Sequence, residues 1–315
     1  MLITVEKLFE RWNLEQIPYC HWKSSDHLQA TVVGITDVDV LVDRRYADKV
    51  ERYLSELGFQ RLDTVVLRSY PGIMDYVCLD LESGRWVHIH LHFQLALGDR
   101  WVKAYWLPLE EIILSRRQFS EEFRSYVVDP YDELFLLCAR MSLKHKEPFN
   151  KSVVWKEFGY IRSRLDLNAS VPKYLSGVYI PLQNMFLKAL SDNPSPKLLN
   201  ALSAKVRQSL IIAMRFGRVG FLVRSIARMF YRYAIEFRRR FLKNFEVGRR
   251  KLPRGGVLVA FVGIDGSGKS SGVERMESLF AQQMNVTNVF LGKSGNNSLN
   301  VFYRYGIYTS KGFVE

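Results

Sequence analysis

The chain has 315 residues, 48% hydrophobic and 13% aromatic, the composition of a globular protein with room for two or three domains. Cys20, Cys78 and Cys138 are odd in number and scattered, which excludes a disulfide framework or a cysteine-based zinc site and points to free thiols in a reducing cytoplasm. No apolar run reaches the roughly 18 residues of a membrane span, and Met1–Lys7 lacks the basic flank and apolar core of a signal peptide, so a cytoplasmic protein is expected.

In chain order, Thr4–Trp12 carries apolar residues at helical spacing and Ile35–Val42 alternates as a strand does. Arg45–Leu57 reads as an amphipathic helix stopped by Gly58. Met74–Leu81 and Arg85–Phe93 are strand-like runs joined by Glu82-Ser83-Gly84, the pattern of a hairpin. After Asp129-Pro130 the pattern is helical over Tyr131–His145 and Val153–Leu165, broken at Asn193-Pro194-Ser195-Pro196, with no strand pattern until Val257. Leu252-Pro253-Arg254-Gly255-Gly256 reads as a linker. The expected organisation is an α+β domain over 1–145, a basic helical region over 146–252 and the start of an α/β domain over 253–315.

Within the first region, Asp37-Val38-Asp39 lies in an apolar strand, whose alternation puts both carboxylates on one face. Carboxylates that close repel unless a cation bridges them, which suits Mg²⁺. Trp22-Lys23-Ser24-Ser25 precedes them. A turn of this kind followed by a D-x-D strand resembles the nucleotidyltransferase-like fold. The resemblance implies Mg²⁺ at Asp37 and Asp39, nucleotide transfer to a hydroxyl acceptor, and a third carboxylate on a neighbouring strand. His90 stands where that carboxylate would be, and Ser24 stands where such turns have their first glycine. Asp75 and Asp80 both remain candidates on the adjacent strand, and spacing does not choose between them. His88, His90 and His92 alternate and share one face, either as metal ligands or as pocket lining beside the aspartates.

The net charge of +13 is concentrated between Lys205 and Arg254, where about fifteen Lys and Arg face only Glu236 and Glu246. Arg224, Arg228 and Arg232 recur every fourth residue, with Arg215 and Arg218 extending the stripe. Val219, Val223, Ile226, Phe230, Tyr233, Phe237 and Phe241 trace an apolar face. Two readings stand for the basic segment 205–250: a helix packing its apolar face inward, or one lying on an anionic membrane surface. With no recognised nucleic-acid motif in the chain, a membrane surface ranks ahead of nucleic acid as partner.

Gly263-Ile264-Asp265-Gly266-Ser267-Gly268-Lys269-Ser270 matches the phosphate-loop pattern G-x-x-x-x-G-K-[ST]. The apolar run Val257–Val262 leads into it as a predicted strand, and a helix-compatible run from Ser271 to Gln283 follows. Inward-turned backbone N–H groups and a helix N-terminus would cradle phosphate, with Lys269 on the β- and γ-phosphates and Ser270 on Mg²⁺. Phe261 to Ser271, with its Asp-Gly-Ser-Gly-Lys core, resembles the opening of a thymidylate-kinase-like domain. The resemblance implies ATP bound by Gly263, Asp265, Gly266, Ser267, Gly268, Lys269, Ser270 and Ser271, and an acceptor sugar near Asp265. It also implies a second strand over Val286–Leu291 and a loop over Lys293–Asn300. No Walker B strand, arginine-rich lid or adenine-pocket segment follows. Three functions are therefore expected alternatives: a truncated ATP-binding kinase-like protein, an Mg²⁺-dependent nucleotidyltransferase, and a non-enzymatic binding module.

Overall fold

The computed structural model describes residues 1–63, 70, 72–98, 102–166, 194–241, 252–253, 256–284, 286 and 288. The chain divides into two compact units, Met1–Gly248 and Arg249–Glu315. The first is a mixed α/β unit built on a seven-stranded sheet of order β3-β4-β5-β2-β1-β9-β8. Its strands are β1 (Tyr19–His21), β2 (Val38–Val42), β3 (Gln60–Leu62), β4 (Ile73–Asp80), β5 (Arg85–His92), β8 (Gln118–Ser120) and β9 (Ser125–Val127). β2 runs parallel to β5 and β1 parallel to β9, while the other pairs are antiparallel. β6 (Leu95–Leu97) and β7 (Tyr105–Leu107) form a separate ribbon.

Both sheet faces are covered, so the central strands are buried on both sides. On one face α1 (Ile3–Leu14) and α3 (Ala47–Glu56) pack Leu8, Phe9, Trp12, Val50 and Leu54 against Val40, Val42, Ile89 and Leu91. On the other, α5 (Pro130–Ser142), α6 (Ser152–Ser163) and α7 (Pro196–Ser209) pack against Cys20, Trp22 and Leu41. Alternation along β2 thus sends Val38, Val40 and Val42 to the first face and Asp39 and Leu41 to the second. α5 is buried almost throughout, and its buried Asp132, Glu133 and Arg140 are met by Arg116, Arg164 and Glu157. Asp129 caps it by accepting from Tyr131 N at 2.9 Å, with Pro130 in the first turn. Arg116, at the end of α4 (Glu110–Arg116), bridges Asp129 and Asp132, each at 3.1 Å.

The helical region expected over 146–252 is therefore not separate from 1–145. α6 and α7 complete the core that α5 begins, and Leu199, Leu202 and Val206 are fully buried within it. The hairpin is where the sequence placed it, with Gly84 in the left-handed region (φ 66°). The short strands β6 to β9 carried no predicted pattern.

α8 (Arg218–Phe241) is a single 24-residue helix with seven arginines and one acid. Its polar edge meets the rest of the first unit: Arg228 donates to the Tyr70 hydroxyl at 3.4 Å and lies 5.3 Å from that ring's centre. Its apolar side is turned to solvent. Val219 is 76% exposed, Phe230 66%, Tyr233 65% and Phe237 62%, and Leu222 and Val223 are also exposed. No helix among the described residues is long and apolar enough to cross a membrane.

In the second unit the helix after the phosphate loop is α9 (Lys269–Phe280). The strand predicted over Val257–Val262 does not form. These residues are irregular and largely exposed, and no described strand lies beside them to accept their backbone hydrogen bonds. The strand expected over 286–291 and the loop over 293–300 lie outside the described residues, save for Val286 and Asn288.

Candidate functional site

Register brings the acidic and imidazole residues of the first unit into one row. Asp39 of β2 pairs with His90 of β5, and His90 pairs with Asp75 of β4. Residues paired across strands share a face, so the row lies on the side covered by α5 to α7. Asp37, just before β2, reaches His88: its Oδ1 is 2.7 Å from His88 Nδ1. The other ring nitrogen of His88 lies 3.0 Å from Asp75. His90 Nδ1 is 3.1 Å from Asp39, and its Nε2 is 2.9 Å from Asp75 and 3.6 Å from Asp37. The sequence thus anticipated Asp37 and Asp39 together, with three histidines beside them. It could not choose the third carboxylate, and register chooses Asp75. Asp80, at the far end of β4, instead accepts from Thr4 at 2.7 Å and Ser83 at 2.6 Å.

Asp39 meets a lysine as well as the histidines. Lys23 Nζ lies 2.6 Å from it. Burial alone would raise its pKa, but Lys23, the hydrogen bond with His90 and the nearby His92, 3.6 Å away, hold it well below the usual carboxylate range. For His90 burial opposes charge, yet hydrogen bonds to Asp39 and Asp75 outweigh it and bring the imidazole to about 9. His92 is buried against Trp22, with ring centres 5.0 Å apart, and burial takes it down to about 4. Two imidazoles of one strand are thus shifted in opposite directions by their surroundings.

The turn carrying Lys23 is shaped by its neighbours. Ser24 has φ 55° and ψ 46°, the left-handed conformation that glycine adopts without cost. Ser25 N donates to buried Glu133 at 3.0 Å, and Arg164 meets the other Glu133 oxygen at 2.8 Å. Burial raises the Glu133 pKa against the pull of Arg164. A carboxylate placed this deep would cost several kcal/mol without those partners. Its role is to hold the turn, and nothing in its helical spacing signalled it.

Beside the row lies a pocket of about 320 Å³ whose lining includes Lys23, Lys103, Arg140 and Lys144. Arg140 pairs with Glu157, and its buried Nε has no partner. Among the described residues Lys103 and Lys144 form no ion pair. Burial, then repulsion from Lys23 and Lys144, lowers Lys103 to about 8. Lys23 is matched by Asp39 and Arg140 by Glu157, so the pocket's excess positive charge comes from Lys103 and Lys144 and favours an anion. Lys103 and Lys144 carried no sequence signal, because Lys103 lies in irregular chain and Lys144 just past the end of α5.

In the second unit, Gly266 and Gly268 both have φ 81°, a backbone that permits the loop to turn its N–H groups together. Lys269 Nζ donates to Ile264 O at 2.5 Å and lies 3.8 Å from Asp265. Gly263, Ser267, Ser270 and Ser271 complete the local loop, and α9 begins at Lys269 with the N-terminus a phosphate needs. The loop thus keeps its left-handed glycines and the helix start after them, although its leading strand is missing. Comparison with family models, with curated proteins and with solved structures returns no match to this chain.

Proposed function

We propose that the first unit binds the polyphosphate of a nucleoside triphosphate and transfers its nucleotide to a hydroxyl acceptor, as a nucleotidyltransferase-like domain. One observation carries this reading: Lys23 belongs both to the carboxylate row, 2.6 Å from Asp39, and to the cationic pocket. A phosphate chain lying against Lys103, Arg140 and Lys144 would end beside Asp37 and Asp39. The pocket's volume falls within the range of small-ligand sites. A divalent cation, when bound, would supply charge neutralisation at the reacting phosphate. The test is label transfer from α-labelled nucleotide to protein, RNA or small-molecule acceptors. The expected result is a loss of at least about 100-fold in Asp37→Asn and in Asp75→Asn. Unchanged transfer in Asp37→Asn would contradict the reading.

The phosphate loop supports a second reading, Mg-ATP binding in a thymidylate-kinase-like manner by residues 263–271, with Lys269 on the phosphates, Ser270 on Mg²⁺ and Asp265 toward the acceptor. The observation favouring it is the pair of left-handed glycines leading into the N-terminus of α9. Lys269→Ala separates it from the first reading.

For partners, we infer that α8 rests on an anionic bilayer surface. Its outward apolar side and its excess of six positive charges, seven Arg less one Glu, fit lipid headgroups. Vesicle co-sedimentation is its test. The three buried free thiols support a reducing, cytoplasmic setting on that surface's inner side.

A further inference from the structure

The row offers three ligand atoms, an Asp37 carboxylate oxygen and one nitrogen each from His88 and His90, all within 4.8 Å of one another. Ligands of a bound ion stand about 3.3 Å apart when each bond is about 2.0 Å. Asp37 already lies 2.7 Å from His88 Nδ1 and 3.6 Å from His90 Nε2, close to that spacing, and its exposure leaves a coordination position for water or substrate.

The surrounding carboxylates fit the same centre. Asp75 lies 3.0 Å from the Nε2 of His88, and Asp39 lies 3.1 Å from the Nδ1 of His90. Each imidazole would thus face an ion with one nitrogen and a carboxylate with the other, the arrangement that fixes ring orientation and strengthens the ligating nitrogen. The same Asp75 Oδ1 lies 2.9 Å from His90 Nε2, so this carboxylate touches both rings. Asp39 is already balanced by Lys23 at 2.6 Å.

We propose that Asp37, His88 and His90 bind one first-row cation of the Zn²⁺ or Co²⁺ kind, in preference to Mg²⁺, with Asp75 and Asp39 orienting the imidazoles. Mg²⁺ selects oxygen donors and near-octahedral geometry, whereas imidazole nitrogen favours the transition ions. The proposal does not depend on nucleotide transfer, because the ion is held by the protein alone.

The test uses the metal-stripped full chain without nucleotide, titrated calorimetrically with Zn²⁺, Mn²⁺ and Mg²⁺, and with Co²⁺ read by its visible spectrum. The expected result is one Zn²⁺ per chain, at least about 100-fold tighter than Mg²⁺. Asp37→Asn and His90→Ala should each weaken Zn²⁺ and abolish the Co²⁺ spectrum. Asp75→Asn should weaken Zn²⁺ by about 10- to 100-fold, while His145→Gln, outside the row, changes nothing. Asp37→Asn is decisive should His90→Ala misfold, since Asp37 is exposed. Equal affinity for Mg²⁺ and Zn²⁺, or Zn²⁺ binding untouched by Asp37→Asn, would overturn the assignment, as would failure of the wild type to bind.

Discussion

Lys103 shows how charge in the cationic pocket can be read in solution. Burial and its cationic neighbours lower it to about 8, against about 10.4 for an exposed lysine. Between those values the folded chain holds fewer protons than the unfolded chain. The relief this gives is complete above the unfolded value and is lost as pH falls through about 8. A bound polyanion favours the charged form, so its affinity must fall as pH rises. We predict that tripolyphosphate binds about 10-fold more weakly at about pH 9.5 than at about pH 7.5, and that Lys103→Arg flattens this dependence. A steep profile retained in Lys103→Arg would place the titration elsewhere. At this scale the sequence was informative where the strand period applies. Asp37 and Asp39 fall on one face because strands alternate, and the three histidines follow the same rule. Ser24 looked like a departure from a glycine turn, yet it adopts the left-handed backbone that glycine would, at a cost of about 1 kcal/mol. Alternation puts Asp75 and Asp80 on opposite faces of one strand, and the cross-strand register decides that Asp75 is the one sharing a face with His90.

Among the elements, length decided what could be read. The eight-residue strands β4 and β5 repeat their period enough times to be recognised, with a turn glycine between them. β6 to β9 have three residues each, too few to show alternation. Val257–Val262 has strand composition but no described neighbour to pair with, and composition without a partner does not make a strand. In α8 the helical period was legible, but not the direction its apolar side would face. A helix packed in the ordinary way would bury Phe230 and Phe237; here both are exposed and the Arg228 edge meets Tyr70. Vesicles containing phosphatidylserine should therefore sediment the protein, and neutral vesicles should not. Each arginine near such a surface contributes about 1 kcal/mol, screened by salt. Phe230→Glu with Phe237→Glu should weaken this binding by about 10-fold or more. Equal binding to neutral vesicles, or self-association through α8 with no lipid binding, would contradict the membrane reading.

For the whole molecule, α6 and α7 belong to the first unit because the sheet has two faces to cover. α1 and α3 cover one, and the row-bearing face is closed by α5, α6 and α7. Helical periodicity announces that a face is apolar but not which surface it will meet, so the boundary near residue 145 had no physical basis. The boundary into the second unit falls at Gly248, close to the Pro-Gly linker. Each unit thus carries its own phosphate-favouring feature: the cationic pocket beside the aspartate row in the first, and the glycine loop before α9 in the second. The claim tested most directly is that the first unit holds the nucleotide. The decisive measurement is calorimetric binding of ATP with Mg²⁺ or Mn²⁺ to wild type, Lys103→Ala with Lys144→Ala, and Lys269→Ala. Loss of binding by at least about 10-fold in the Lys103 and Lys144 variant, with Lys269→Ala unchanged, is the predicted result. Binding lost only in Lys269→Ala would contradict it and assign the nucleotide to the phosphate loop.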